Sequence, residues 1–456
     1  MPEPSSLFSH LRRPVVTPGI LRKAEQGLHE EGRRRTDSIE EHLDYVRHVA
    51  EAARTTAAML ARRKTPGERV TVLFLVHHPE AWYSLARVHE LMASDPDFEV
   101  VAASLPRRFP GADGYRDEGF VSERLDHFGV EHLRFNSRDP FMDLDVIRMI
   151  DPDIIFRQSQ WDNDVPPAFA TDELRFARLC QVPYELLNFI VNIVEDDGLN
   201  TAVDSAFHRN AWAVFCASDE VRAETAAQTP ATRARQFVAT GHPKADILSA
   251  VARLGPDPGH RFTVLWSAHH SVGDDWIRFG TFAEAAPQMV EQARNHPEWD
   301  FVFSAHPALL TKMDEHEPPL SGPLVADFRR EWGSLRNASV FGGGDYADQF
   351  RNSDVLVCDG VSWLAEYQLT DRPVVFLERE DHRPFSALGE RIIAGVNRVP
   401  SAAEAFRLVE ALACGEPDPR RAERRQNALA LRGDGHAAEN IIAAIKAKLT
   451  DEGWRR

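Results

Sequence analysis

The sequence predicts an α/β protein of two doubly wound, parallel-sheet domains facing each other across a cleft, preceded by a helical extension. Three observations carry this. From Arg69 onward, short near-continuous apolar runs alternate with helix-like stretches, the pattern of βαβ units in a sheet covered on both faces. One Pro/Gly-rich stretch, Leu254-Gly255-Pro256-Asp257-Pro258-Gly259, interrupts the alternation, which then restarts. A length of 456 residues suffices for two or three domains, each with its own core.

Residues 1–66 read as the extension. Ile39, Leu43, Val46, Ala50, Ala53, Ala57 and Leu60 follow steps of four and three, which predicts a helix from about Ser38 to Ala61. Asp37 or Ser38 supplies an N-cap, and Thr65-Pro66-Gly67 ends it. Its alanine-rich seam favours protein contact, with the chain's own sheet domain or with a second subunit in a homodimer, over a lipid surface. Residues 67–255 form the expected acceptor domain. Its strands are Val70–Val76, Phe98–Ser104, Asp153–Phe156, Trp212–Cys216 and Phe237–Thr240, with a helix at Trp82–Leu91. Residues 256–456 form the expected nucleotide-donor domain, with strands Phe262–Trp266, Phe301–Ser304, Asp354–Cys358 and Pro373–Leu377. A final crossing helix is marked by Ile441, Ile442, Ile445 and Leu449.

Composition narrows the function. A formal net charge of −17 opposes polyanions, so nucleic-acid binding is not expected. Residues 1–64 hold 12 Lys+Arg against 9 Asp+Glu, a balance of +3 that allows at most peripheral membrane contact. No apolar run reaches spanning length, and the N-terminus lacks a signal-peptide core. The four cysteines, Cys180, Cys216, Cys358 and Cys414, form no CxxC pair. A reduced, cytoplasmic setting is the expectation.

Polar residues gather where the predicted strands end, the place where parallel α/β sheets bind ligands. His77-His78 follows the first strand. His269, His270 and Ser271 follow the first strand of the second half, and His306 follows the next. Asp359, Gly360 and Ser362 follow a fourth and open a helix. Imidazoles and helix N-terminal amides at such positions hold a diphosphate, although Asp359 or Ser362 also serves as an ordinary N-cap. The Gly-rich stretch Phe341–Tyr346, with Gly343 and Asp345, lacks GxGxxG and GxxxxGK[ST] spacing. It reads as a close-approach loop for a base or ribose, or as a turn. Neither HExxH nor clustered carboxylates occur, so no metal is expected.

Five segments in order carry a family resemblance. Thr240-Gly241-His242-Pro243-Lys244-Ala245-Asp246 resembles a G-[YH]-P-[RK]-x-D segment, and Leu265–Ser271 a strand-end APT-W/PHHS segment in its variant with two histidines. Phe303–Pro307 resembles an HP motif, Ser353–Ser362 the run SDVLITDYSS, and Asp434–Asn440 a DGxASER segment. The set is similar to the CDP-glycerol glycerophosphotransferase family, the teichoic-acid polymerase type, whose members have the GT-B fold. The resemblance covers about residues 238–442. It implies a CDP-linked donor and no other cofactor. It places His306 on the donor phosphates, stabilising the departing charge as an imidazolium, with Ser362 and Lys244 on the diphosphate. The acceptor would be a hydroxyl on a glycan, a lipid-linked or a small-molecule substrate.

Two departures stand out. The family's WHGTP-type histidine is missing: the comparable segment reads Gln181-Val182-Pro183-Tyr184-Glu185. Val361 replaces the first serine of DYSS. Candidate bases are therefore His77, His78 and Glu185. Two other readings remain open: a GT-B glycosyltransferase using a nucleotide sugar, for which Glu366 in the helix after Ser362 is the matching carboxylate, and a catalytically silent nucleotide-binding protein.

Overall fold

The computed structural model describes residues 68–108, 114–191, 200–273, 277–342 and 346–453, together with positions 39, 42, 43, 46, 47, 50, 53, 54 and 57. Residues 1–62 and 63–456 form two compact units. In the first, the described positions are helical, as the seam predicts. Its Ile39, Leu43 and Val46 are 60%, 58% and 62% exposed. Leu60 lies outside the described residues.

In the second unit, thirteen strands are described. β1 (Val70–Val76), β2 (Phe98–Ser104), β3 (Leu133–Arg134), β4 (Ile154–Arg157), β5 (Arg178–Gln181), β6 (Ala213–Cys216) and β7 (Phe237–Ala239) build a parallel sheet ordered 3-2-1-4-5-6-7. β8 (Thr263–Ala268), β9 (Asp300–Ala305), β10 (Ala338–Val340), β11 (Val355–Cys358), β12 (Val374–Leu377) and β13 (Asn397–Val399) build another, ordered 10-9-8-11-12-13. Each chain of strands starts at the centre and reverses direction across the sheet, leaving a crevice between β1 and β4 and between β8 and β11.

Both sheets are covered on both faces, which is why the strands read as continuous apolar runs. Val70, Val72, Phe74 and Val76 of β1 join one core, whereas Leu73 and Leu75 join another with Leu144 and Ile147 of the helix Pro140–Ile150. Val264 and Trp266 of β8 likewise part from Leu265. The final helix, Ala437–Asp451, returns to the first sheet. Its Ile441, Ile442, Ile445 and Leu449 join the core of β1, and Lys446 pairs with Asp97 at 2.9 Å.

The helix expected at Trp82–Leu91 is a 3₁₀ turn, Pro79–Ser84, followed by an α-helix, Ala86–Ser94. Pro79 fixes the first turn of the 3₁₀ segment, and the chain breaks at Leu85 before the α-helix begins.

Candidate active site

The second sheet brings three polar strand ends together, because β9 and β11 flank β8. His269 and His270 leave β8, His306 leaves β9, and Asp359 and Gly360 leave β11. The His269 and His306 ring centroids are 5.4 Å apart, and those of His270 and His306 4.5 Å. His306 caps the helix Pro307–Glu315: its Nδ1 accepts the N–H of Ala308 at 3.2 Å. His269 does the same with Ser271, whose N–H lies 3.2 Å from Nδ1. An amide N–H only donates, so in both rings Nδ1 is bare and the proton sits on Nε2. Burial, and then the other imidazoles, hold both pKa values well below the usual histidine range. The pair therefore presents two neutral N–H donors. In the free protein burial favours the neutral form of the His306 ring.

The rest of the loop is support. The Asp359 carboxylate accepts the N–H of His269 at 2.6 Å and, through its other oxygen, the hydroxyl of Thr281 at 2.9 Å. Burial raises its pKa to about 6. The Ser271 hydroxyl lies 2.8 Å from His269 Nδ1 and accepts the N–H of Phe279 at 2.9 Å. Both residues are thus occupied in shaping the His269 turn. Gly360 runs beneath that ring, where an added Cβ would sit 3.6 Å from His269 Cδ2. Ser362 begins the short helix Ser362–Glu366. Thr281 also lines a pocket of about 790 Å³ with Val272, Glu378, Arg379 and Asp381, a volume suited to a nucleoside.

The first sheet supplies the facing groups. His77 and His78 leave β1, and both their backbone N–H groups donate to Gln158 Oε1 at 2.9 Å. Burial, then His270 and lastly His78 hold the His306 pKa down. Glu185 follows β5 and is half-buried. Burial is the main cause that lifts its pKa to about 7, with Lys244 opposing and Glu366 adding to the rise.

Lys244 and Glu366 meet across the halves at 3.0 Å, with both side chains nearly fully buried. Lys244 also donates to the Tyr184 carbonyl, and Glu366 accepts from the Tyr346 hydroxyl at 3.0 Å. These two expected ligand residues are therefore committed to each other. The segment Pro183–Glu185 is held from the same helix, since His242 Nε2 donates to the Pro183 carbonyl at 2.8 Å. Two of the family-like segments turn out to clasp each other. Gly241, at φ +83°, lets Ala437 approach so closely that a Cβ would lie 3.0 Å from the Ala437 methyl, and the Ala437 N–H donates to Asp246 at 2.8 Å. Gly343 and Asp345 lie outside the described residues. Sequence reasoning missed Asp164 and Gln158, neither of which stands in a recognisable motif.

The sequence matches no family model, and no curated protein matches it. Solved structures do. UDP-GlcNAc 2-epimerase from Neisseria meningitidis bound to UDP-GlcNAc aligns at TM-score 0.57 and 12% identity, over 83% of this chain and 100% of that one. S. aureus MnaA bound to UDP aligns at 0.55 and 13%, over 84% and 97%. A variant of the wall teichoic acid polymerase TagF aligns at 0.52 and 10%, over 91% and 98%. The fold is GT-B. The two parallel sheets are the two GT-B halves, and the histidine cluster occupies the strand ends of the second. Among the described residues no helix is long and apolar enough to cross a membrane.

Proposed function

We propose that this chain is a transferase that moves a phospho-alditol group from a CDP-linked donor to an acceptor hydroxyl. The observation that carries the reading is the pair of N–H donors, His269 and His306, at adjacent strand ends of the second sheet. Neutral imidazoles that already hold their protons on Nε2 need no rearrangement to donate to diphosphate oxygens. The ordered motifs shared with the CDP-glycerol family, and the likeness to TagF, support this donor class.

In the proposed reaction the acceptor O–H gives its proton to Glu185, and its oxygen attacks the phosphorus that bears the alditol. The bond from that phosphorus to the bridging oxygen breaks, and CMP leaves with the bridging oxygen and its electron pair. His306 donates toward the charge that gathers on that group. A carboxylate whose pKa is about 7 is matched to accepting a proton near neutral pH.

Solved structures of the same fold hold UDP or UDP-GlcNAc, and this favours a nucleotide-sugar enzyme as the second reading. Calorimetric titration with CDP, UDP and GDP, paired with CMP release from CDP-glycerol, separates the two. We expect cytidine preference and CMP formation. Tight UDP binding without cytidine preference transfers the assignment to a nucleotide sugar, and no turnover with any donor leaves a binding protein.

A further inference from the structure

We propose that His77, His78 and Asp164 form a binding site for a divalent transition-metal ion of the zinc class at the carboxyl end of β1. One ligand atom from each residue lies within 4.8 Å of the others. A tetrahedron with bonds near 2.1 Å needs ligand separations of roughly 3.4 Å, so small ring and carboxylate rotations complete the site.

The decisive group is His77. Its side chain is fully buried, and neither ring nitrogen has a hydrogen-bond partner. Native proteins seldom leave both nitrogens of a buried imidazole unmet unless a ligand, an ion or a water meets them. The ring is not loosely placed. Gln158 receives the N–H groups of both histidines and donates to the His78 carbonyl at 3.0 Å, so the main chain of the pair is clamped from three sides. Gln181 in turn donates to the Gln158 carbonyl at 3.1 Å. On the third ligand, the Ser159 hydroxyl donates to Asp164, the kind of outer hydrogen bond that orients a metal-binding carboxylate.

Local charge points to a cation. The nearby guanidinium groups are already matched: Arg157 pairs with Asp162 at 2.7 Å and Arg107 with Glu80 at 2.8 Å. Asp164 adds a negative charge that an anion would meet as repulsion. Two imidazole nitrogens and one carboxylate oxygen suit Zn²⁺ or Fe²⁺ better than Mg²⁺ or Ca²⁺, and three protein ligands leave a coordination position for water or a substrate oxygen. The sequence gives no metal signature here because the third ligand comes from beyond a different strand, β4. The site stands on its own geometry and does not rest on the CDP-linked donor.

The test uses the full, tag-free chain after chelator treatment, titrated with Co²⁺ while visible d–d absorption and bound metal are followed, then with Zn²⁺ as competitor. We expect one Co²⁺ per chain, displaced by Zn²⁺. His77→Ala and Asp164→Asn should each weaken Co²⁺ binding at least about tenfold, and His306→Ala should leave it unchanged. Asp164→Asn opens no core cavity, and its circular dichroism and thermal unfolding without metal verify the fold independently of His77→Ala. Absence of saturable binding by the wild type overturns the proposal. So does binding that survives Asp164→Asn, or that is lost in His306→Ala and kept in Asp164→Asn, which would put the ion in the other histidine cluster.

Discussion

A histidine that caps a helix through Nδ1 has its tautomer set by its neighbours, so what it offers the cleft is decided before any ligand arrives. At His306 that offer is an N–H donor. We expect His306→Ala to reduce turnover by roughly 10²–10³, the usual loss for one preorganised donor, while thermal unfolding changes little; unchanged kcat would remove the residue from the chemistry. Glu185 makes a pH prediction. As the proton acceptor it must be ionised, so kcat/KM should rise with pH through about 7 and then level. Glu185→Gln should lower the rate and erase that rising limb. A profile that keeps the limb in the variant assigns the base elsewhere. At this scale the histidines were legible because a residue following an apolar run marks a strand end. What Lys244, Glu366 and Asp359 do was not legible. Their partners Tyr184, Tyr346 and Thr281 lie far off in sequence, and only the folded sheets bring them within bonding distance.

Between elements, the Lys244–Glu366 pair joins the helix Pro243–Arg253 to the short helix after β11. Removing one partner strands a buried charge, which costs about 3–5 kcal/mol. Lys244→Met and Glu366→Leu should therefore each lower the urea midpoint markedly, whereas the double replacement Lys244→Met/Glu366→Leu should recover much of the loss. Equal and additive losses would show that the two side chains are not coupled. The strands were legible to within a residue or two wherever they were long and apolar, as with β1 and β2. β3, β10 and β13 escaped because these short edge strands carry a polar residue (Arg134, Ser339, Arg398) where β7 is an apolar run. β5 escaped for another reason: its sequence, Arg-Leu-Cys-Gln, looks polar, yet the Arg178 guanidinium is buried against Glu452 at 2.7 Å. A strand whose charge is answered by a distant helix cannot be recognised from its own four residues.

Across the whole molecule, burial sets the response to acid. The pKa values of His208 and His242 are pushed down to about 3, and those of His77, His269 and His306 fall well below the ordinary value. Depressed folded-state values mean that the stabilisation is present above about pH 6.5 and is lost as pH falls toward the folded pKa, because the unfolded chain takes up protons that the folded one refuses. Each such histidine contributes a slope of about 1.4 kcal/mol per pH unit in that window. Glu185 and Asp359, raised to about 7 and about 6, act in the opposite sense, as do Asp164, Glu224 and Asp246, whose pKa values burial also raises; with His78 and His89 the lowered histidines still outnumber them. Urea midpoints should therefore drop from pH 7 to pH 5.5, and His242→Gln should flatten the slope by about one proton; a flat profile in the wild type would contradict this. The last helix has a consequence of a different kind, in time. Lys446 and its partner Asp95 are separated by 351 positions, and Ile441, Ile445 and Leu449 complete a core whose strands are made first. On the ribosome, the first sheet must wait with that apolar strip uncovered until nearly the whole second half has been translated. A domain finished last by its own far end invites chaperone binding while it waits, and a stop codon ahead of Ala437 should leave the first half, not the second, as the part that aggregates.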